Sequence, residues 1–334
     1  MEGNLSINMI TPYDLSLDAI AETRQRIAPY VRRTPILAPP AMHADMPAHL
    51  RLKLENLQVS GSFKARGAFN NLLQADLDQR RRGVVTASGG NHGLAIAYAA
   101  TKLGMPATIY LPETAGADRV ARIVAWGAQV VQHGRNWDDA NARAQEHASR
   151  EGLLYVHPFD ADRTLHGTGA LGLELLDDLP EVDCVLIAIG GGGLIAGMAS
   201  AIKQTRPNVR IIGVEPTGAA SMQAAVQAGR VVELARTDTI ADTLSPRAVC
   251  DRTLTLTQRY VDEIALVSDA QMIAAMRWLW IECNQLVEPA GAAVIAALLN
   301  DAVSVEQHTC PVALICGGNA AAESVFVGYQ GRVG

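Results

Sequence analysis

The sequence predicts an α/β fold of two open parallel sheets with helices on both faces, and three observations carry that prediction. Short β-branched runs alternate with Ala-rich segments of helical period along most of the chain. Glycine clusters stand where three of the strand candidates end. The length, 334 residues, exceeds what one compact core usually organises, so two domains are expected.

The strand candidates are VVTAS (84–88), ATIYLP (107–112), AQVVQH (128–133), LLYVHP (153–158), CVLIAIG (184–190), VRIIGVEP (209–216), DEIALVS (262–268) and PVALICGG (311–318). They read as apolar on both faces, as buried parallel strands require. Between them lie amphipathic segments such as GLAIAYAATKLG, ADRVARIVAWG and WDDANARAQEHASREG, each closed by a glycine suited to a helix C-terminus. Segment 83–158 holds four β–α units and reads as a small domain inserted into a larger one made of 1–82 and 159–334. No short-period repeat or low-complexity tract is present.

Composition narrows the function. Charge is ordinary at 19% of residues, aromatics are 4%, and the net charge is −6 without a basic block, so no nucleic-acid partner is expected. No apolar run reaches membrane-spanning length, and the N-terminus lacks the apolar core of a signal peptide. Five cysteines, none in a CxxC pair, suit a reducing compartment, so a cytoplasmic location is expected.

The three glycine clusters are SGGNHG (88–93), GGGGL (190–194) and CGGN (316–319). Glycines at a strand-to-helix turn let backbone N–H groups approach an anion, and the helix N-terminus adds positive potential. GGGGL is the best phosphate cradle, since a plain turn needs fewer glycines. Gly191, Gly193 and Ala196 also fit the dinucleotide fingerprint, with Glu215 near the place of a ribose-binding acid. That leaves a nicotinamide-dependent dehydrogenase as an alternative. SGGNHG suits a carboxylate, with Ser88, Asn91 and the loop amides as donors. His92 reads either as a helix-cap histidine or as an acid–base group.

Lys64 stands in SGSFKARGAF (60–69), beside Phe63 and at a helix start. It is either a solvated surface lysine or a reagent. A lysine, a phosphate cradle and a separate carboxylate cradle are what an amino-acid enzyme using pyridoxal 5′-phosphate needs. Burial beside Phe63 would lower the amine's pKa and make it a nucleophile and a base.

The motifs SGSFKARGA, ASGGNHG, GGGGL, VEPAGA and CGGN resemble, in order and spacing, those of the fold type II pyridoxal-phosphate enzymes, the tryptophan-synthase-β-like superfamily. The resemblance spans roughly residues 15 to 320. It is nearest to the threonine/serine dehydratases and the related serine racemases. It implies that Lys64 bonds the cofactor aldehyde, Phe63 packs on the pyridine ring, and Gly190, Gly191, Gly192, Gly193 and Leu194 hold the phosphate. It implies further that Asn91 bonds the phenolate oxygen and that Ser88, Gly89, Asn91 and His92 surround the substrate carboxylate. Glu288 is expected near the ring edge and Cys316 facing the ring nitrogen. A thiol is no counterion, so that nitrogen should stay unprotonated, which suits elimination over transamination. Cys316 also fits as a small buried apolar residue at a strand end.

Gly89 takes the place where related racemases carry a second catalytic serine, so one-base chemistry by Lys64 is expected. The implied reaction converts a β-hydroxy-L-amino acid, L-threonine or L-serine, to a 2-oxo acid and ammonia. Two alternatives stay open: a racemase, and a dehydratase of 3-hydroxyaspartate using Arg119, Arg122 or Arg135 on the distal carboxylate. Some relatives bind a divalent cation, and Glu215 and Ala219 match two of its ligands. Ser221 replaces the third, an Asp, so Mg²⁺ binding should be weakened. Thr243 replaces a glycine near the substrate side chain. No C-terminal regulatory domain is expected after YQGRVG, and a homodimer is expected by analogy.

Overall fold

All eight strand candidates become strands where the sequence places them, and two further strands join them. The computed structural model describes residues 11–40, 46–47 and 49–319. The N-terminal residues 1–10 and the stretch ending in YQGRVG, read above for targeting and regulation, lie outside the described residues.

In chain order the strands are β1 (Ile36–Leu37), β2 (Arg51–Leu54), β3 (Val84–Ala87), β4 (Ala107–Leu111), β5 (Gln129–Gln132), β6 (Leu154–Tyr155), β7 (Cys184–Ala188), β8 (Arg210–Pro216), β9 (Glu263–Val267) and β10 (Pro311–Ile315). They form a six-stranded sheet in the order β1-β2-β10-β7-β8-β9 and a four-stranded sheet in the order β5-β4-β3-β6. Every pairing is parallel except β1 with β2. Strands β3, β7 and β10 are buried at every residue, which is why they read as continuous apolar runs. The two domains are thus α/β layers around separate parallel sheets, as expected.

The helix Lys64–Leu73 connects the two cores. Phe63, just before it, packs into the core of the six-stranded sheet. Ala65, Ala68, Phe69 and Leu72 pack into the core of the four-stranded sheet. The first residue of this helix therefore stands where the two domains meet.

What pins that helix is ionic. Arg66 is 1% exposed, and its guanidinium grips two carboxylates: Glu55 at 2.7 and 2.9 Å, and Glu174 at 2.9 and 3.0 Å. Lys53, wholly buried in β2, donates to Glu174 at 2.7 Å, Asp178 at 2.8 Å and the Thr34 carbonyl at 2.8 Å. The Thr34 hydroxyl closes the cluster on Glu55 at 2.6 Å. Burial pushes the Glu174 pKa up, but the Arg66 and Lys53 charges outweigh it and hold the carboxyl below its ordinary value.

Removing one member of such a cluster strands the others without partners. Arg66→Met is expected to cost about 3–5 kcal/mol of stability, read by urea unfolding. A loss under about 1 kcal/mol would show that the cluster is not the anchor described. Because folding depresses the Glu174 pKa, its contribution is complete above its ordinary value of 4.5 and is lost as pH falls below that. The wild-type midpoint should therefore drop on acidification through this range, and the Arg66→Met midpoint should drop less.

Candidate active site

Lys64 is aimed by the backbone on either side of it. Ser62 bridges to Gly317, and the Phe63 N–H donates to the Cys316 carbonyl at 3.2 Å, so the segment before the helix is stitched to the end of β10. The Lys64 amine donates to the Pro158 carbonyl at 2.7 Å and lies 5.1 Å from the Phe63 ring centroid. Burial lowers its pKa from 10.5 to about 8. A lysine amine of lowered pKa is suited to act as a nucleophile.

The glycine loop after β7 lies against the same segment. A side chain on Gly191 would run into the Phe159 ring, and a Cβ on Gly193 would lie 2.8 Å from that of Phe159. Gly192 has φ +85°, the left-handed conformation, and caps the helix Gly193–Thr205. The result is a side-chain-free helix N-terminus, its floor Phe159, the neighbour of Lys64's acceptor. Leu194 follows in the first turn and is buried. The hydroxyls of Ser60 and Ser62 are buried near Lys64 without a hydrogen-bond partner among the described residues. An amine of lowered pKa, an open N-terminus and orphaned donors fit the aldehyde, the phosphate and the polar rim of pyridoxal 5′-phosphate.

The loop after β3 supplies the other face. Ser88 accepts from the Gly90 N–H at 3.2 Å, and the helix Asn91–Leu103 begins immediately after, its first N–H groups directed at the loop. Asn91 donates to Glu288 at 2.5 Å. Burial raises the Glu288 pKa to about 7, aided by Asp242 and opposed by Asn91, Arg122 and Arg119. Cys316 is 3% exposed, and its thiol donates to the Ala290 carbonyl at 3.4 Å. Burial, with the Glu288 charge, drives the thiol pKa far up, so it stays neutral.

Three expectations are revised. The His92 ring does not face the loop: its Nε2 lies 3.1 Å from the Thr86 hydroxyl and 3.2 Å from the Val156 carbonyl. Burial and the Lys64 charge push its pKa down to about 3, so it is a neutral structural histidine rather than an acid–base group. Glu215 caps a helix, its two oxygens accepting from the Met222 and Gln223 N–H groups at 2.8 Å each. That occupation suits neither the cation ligand nor the ribose-binding acid; Ala219 is buried beside it, and no group of three His, Cys, Asp or Glu among the described residues could hold a metal. Of the candidate cations, Arg119 pairs with Asp242, Arg122 donates to Asn319 at 2.6 Å, and Arg135 is exposed, its backbone N–H on Asp139.

The sequence reading passed over Asn319, Lys53, Glu55, Arg66 and Glu174. A signal was there for Lys53, Glu55 and Glu174: charged residues set inside apolar stretches, RLKLEN and LGLELL.

Lysine, glycine cradle and carboxylate loop together define a pyridoxal-phosphate enzyme of fold type II. A family model described as pyridoxal-phosphate dependent enzyme matches residues 27–317, and the chain belongs to that family. The L-threonine ammonia-lyase of Geobacter sulfurreducens is 39% identical over 316 residues, covering 95% of this chain and 77% of the relative. The phenylserine dehydratase of Ralstonia pickettii is 40% identical over 305 residues, covering 91% of this chain and 93% of the relative. Among solved structures, maize serine racemase matches with a TM-score of 0.91 at 33% identity, covering 96% of this chain and 98% of that one. The nicotinamide-dehydrogenase alternative is overturned by this membership.

The amine gives a test in the cofactor-free chain. Acylation of Lys64, followed by mass mapping, should rise with pH to a midpoint of about 8; a midpoint near 10.5 would contradict the burial. Folding lowers this pKa, so between pH 8 and 10.5 the unfolded chain holds more protons. Through that window the Lys64 contribution makes the cofactor-free protein more stable as pH rises.

Proposed function

We propose that this enzyme eliminates water from a β-hydroxy-L-amino acid, L-threonine or L-serine, and that water then hydrolyses the released enamine, through its imine, to 2-oxobutanoate or pyruvate and ammonia. The observation that carries the reading is the Lys64 amine, held by the Pro158 carbonyl with a pKa of about 8, in a chain whose Gly89 offers no second base. When bound, pyridoxal 5′-phosphate supplies an electron sink that acidifies the Cα–H of the amino acid.

The chain's own residues do the rest. Lys64 would bond the cofactor aldehyde, and its freed amine would take the Cα proton and return a proton to the departing hydroxyl. Gly190 to Leu194 would hold the phosphate at the helix N-terminus, and Phe63 would pack on the pyridine. Ser88, Asn91 and the loop amides around Gly89 would hold the substrate carboxylate. Cys316, a neutral thiol, gives the ring nitrogen no counterion, which favours elimination over transamination. Glu288 would work through Asn91 at the ring edge.

Arg119 and Arg122 are both engaged, which favours a neutral β-substituent over the distal carboxylate of 3-hydroxyaspartate. The Glu215 geometry favours turnover without Mg²⁺. Residues 83–158 form the inserted domain of this reading, supported by a four-stranded sheet drawn wholly from 84–155. A homodimer would cover the apolar face of the helix Asp269–Cys283, where Ile273, Trp280 and Ile281 are 40, 56 and 70% exposed. The free cysteines suit a reducing, cytoplasmic setting.

The test is 2-oxo acid release from the cofactor-loaded protein with L-threonine, L-serine, their D-forms and the 3-hydroxyaspartates, with and without Mg²⁺. Release from L-threonine or L-serine, unchanged by Mg²⁺, and no accumulation of the D-isomer are expected. D-serine appearing from L-serine as fast as pyruvate would favour the racemase reading. Lys64→Ala should lower release by at least about a thousandfold, since base and attachment point vanish together.

A further inference from the structure

Asn91 carries an amide that presents a donor one way and an acceptor the other, and its orientation is set from outside the site. Arg122, on the helix Ala117–Ala125 of the four-stranded layer, donates to the Asn319 Oδ1 at 2.6 Å. A guanidinium has only donors, so Asn319 must turn its oxygen to Arg122. Its Nδ2 then donates to the Asn91 Oδ1 at 2.6 Å and to the Ser60 carbonyl at 2.8 Å. Both hydrogens of Asn319 are thus used, and Asn91 must accept on its oxygen. The Asn91 Nδ2 is left as the donor, one N–H on Glu288 at 2.5 Å and the other without a hydrogen-bond partner among the described residues.

Local backbone is shaped to admit this chain. Gly61 has φ +75°, and a Cβ there would lie 2.5 Å from the Asn319 oxygen. Ser60, also left-handed at φ 65°, turns its carbonyl onto Asn319. Arg119, one turn earlier on the same helix, pairs with Asp242, so the helix end is held to the other domain at two points.

We propose that Arg122 is a positioning residue: through Asn319 it fixes the polarity of the Asn91 amide, so that Asn91 meets the cofactor as a donor. This rests on the reading of the site as a pyridoxal-phosphate site. Without Arg122 only the Ser60 carbonyl and Glu288 hold the two amides in this sense, and a reversed Asn91 would set its carbonyl oxygen against Glu288 and against the cofactor's phenolate oxygen, acceptor facing anion. Lysine, also donor-only, would keep the polarity; glutamine, which can donate or accept, would not.

The test compares Arg122→Gln, Arg122→Lys and Asn319→Asp with the wild type, by equilibrium dialysis of pyridoxal 5′-phosphate and by the absorbance spectrum of the bound cofactor. Asn319→Asp keeps a partner for Arg122 but removes both N–H donors. Arg122→Gln and Asn319→Asp should each weaken cofactor binding about tenfold and shift the bound spectrum, as expected when one oriented hydrogen bond is lost. Arg122→Lys should stay within about threefold of wild type with an unshifted spectrum, which a merely structural role for the guanidinium would not allow. Wild-type affinity and spectrum in both Arg122→Gln and Asn319→Asp would overturn the inference alone. Failure of the wild type itself to take up the cofactor would overturn the proposed function, and the inference with it.

Discussion

Arg66 is the constraint on which the site depends. A guanidinium with 1% exposure is tolerable only where carboxylates meet its donors, and Glu55 and Glu174 do so with four hydrogen bonds. Glu55 follows β2, Glu174 lies on the helix Asp162–Asp178, and Arg66 is two residues past Lys64. Three separate stretches of chain are thereby locked in one geometry. Apolar residues of similar volume would pack as well or better, but they would not fix the rotation of the helix Lys64–Leu73 so narrowly. The rotation matters because one residue's turn would carry the Lys64 amine away from Pro158.

The site is assembled at the junction of two cores rather than within either. Phe63 belongs to one and Ala65 to the other, and Lys64 stands between them. The glycine loop comes from the six-stranded sheet and the carboxylate loop from the four-stranded sheet, both after the carboxyl ends of parallel strands. Each contributes a helix N-terminus. Two helix N-termini of different origin are an arrangement suited to holding a phosphorylated cofactor and an amino acid together.

Much of this was legible in the sequence because parallel strands are apolar on both faces and their turns need glycine. The hidden parts are those whose meaning lies in distant partners. RLKL sets a lysine inside an apolar stretch, and its reason lies in Glu174, 121 residues along the chain. ASGGNHG places His92 in the loop, but the Thr86 hydroxyl and the Val156 carbonyl decide which way its ring turns. Glu215 resembles a ligand in sequence, and two backbone N–H groups make it a cap instead. Asn319, at the end of CGGN, meets its partner Arg122 197 residues away in the chain.

The account stands on Lys64 as the one amine that the fold has prepared. The most direct test is borohydride reduction of the cofactor-loaded protein, followed by proteolysis and mass mapping of the phosphopyridoxyl label. The account predicts a single labelled peptide, carrying Lys64. Label on Lys53, Lys102 or Lys203, or no stable label at all, would contradict it.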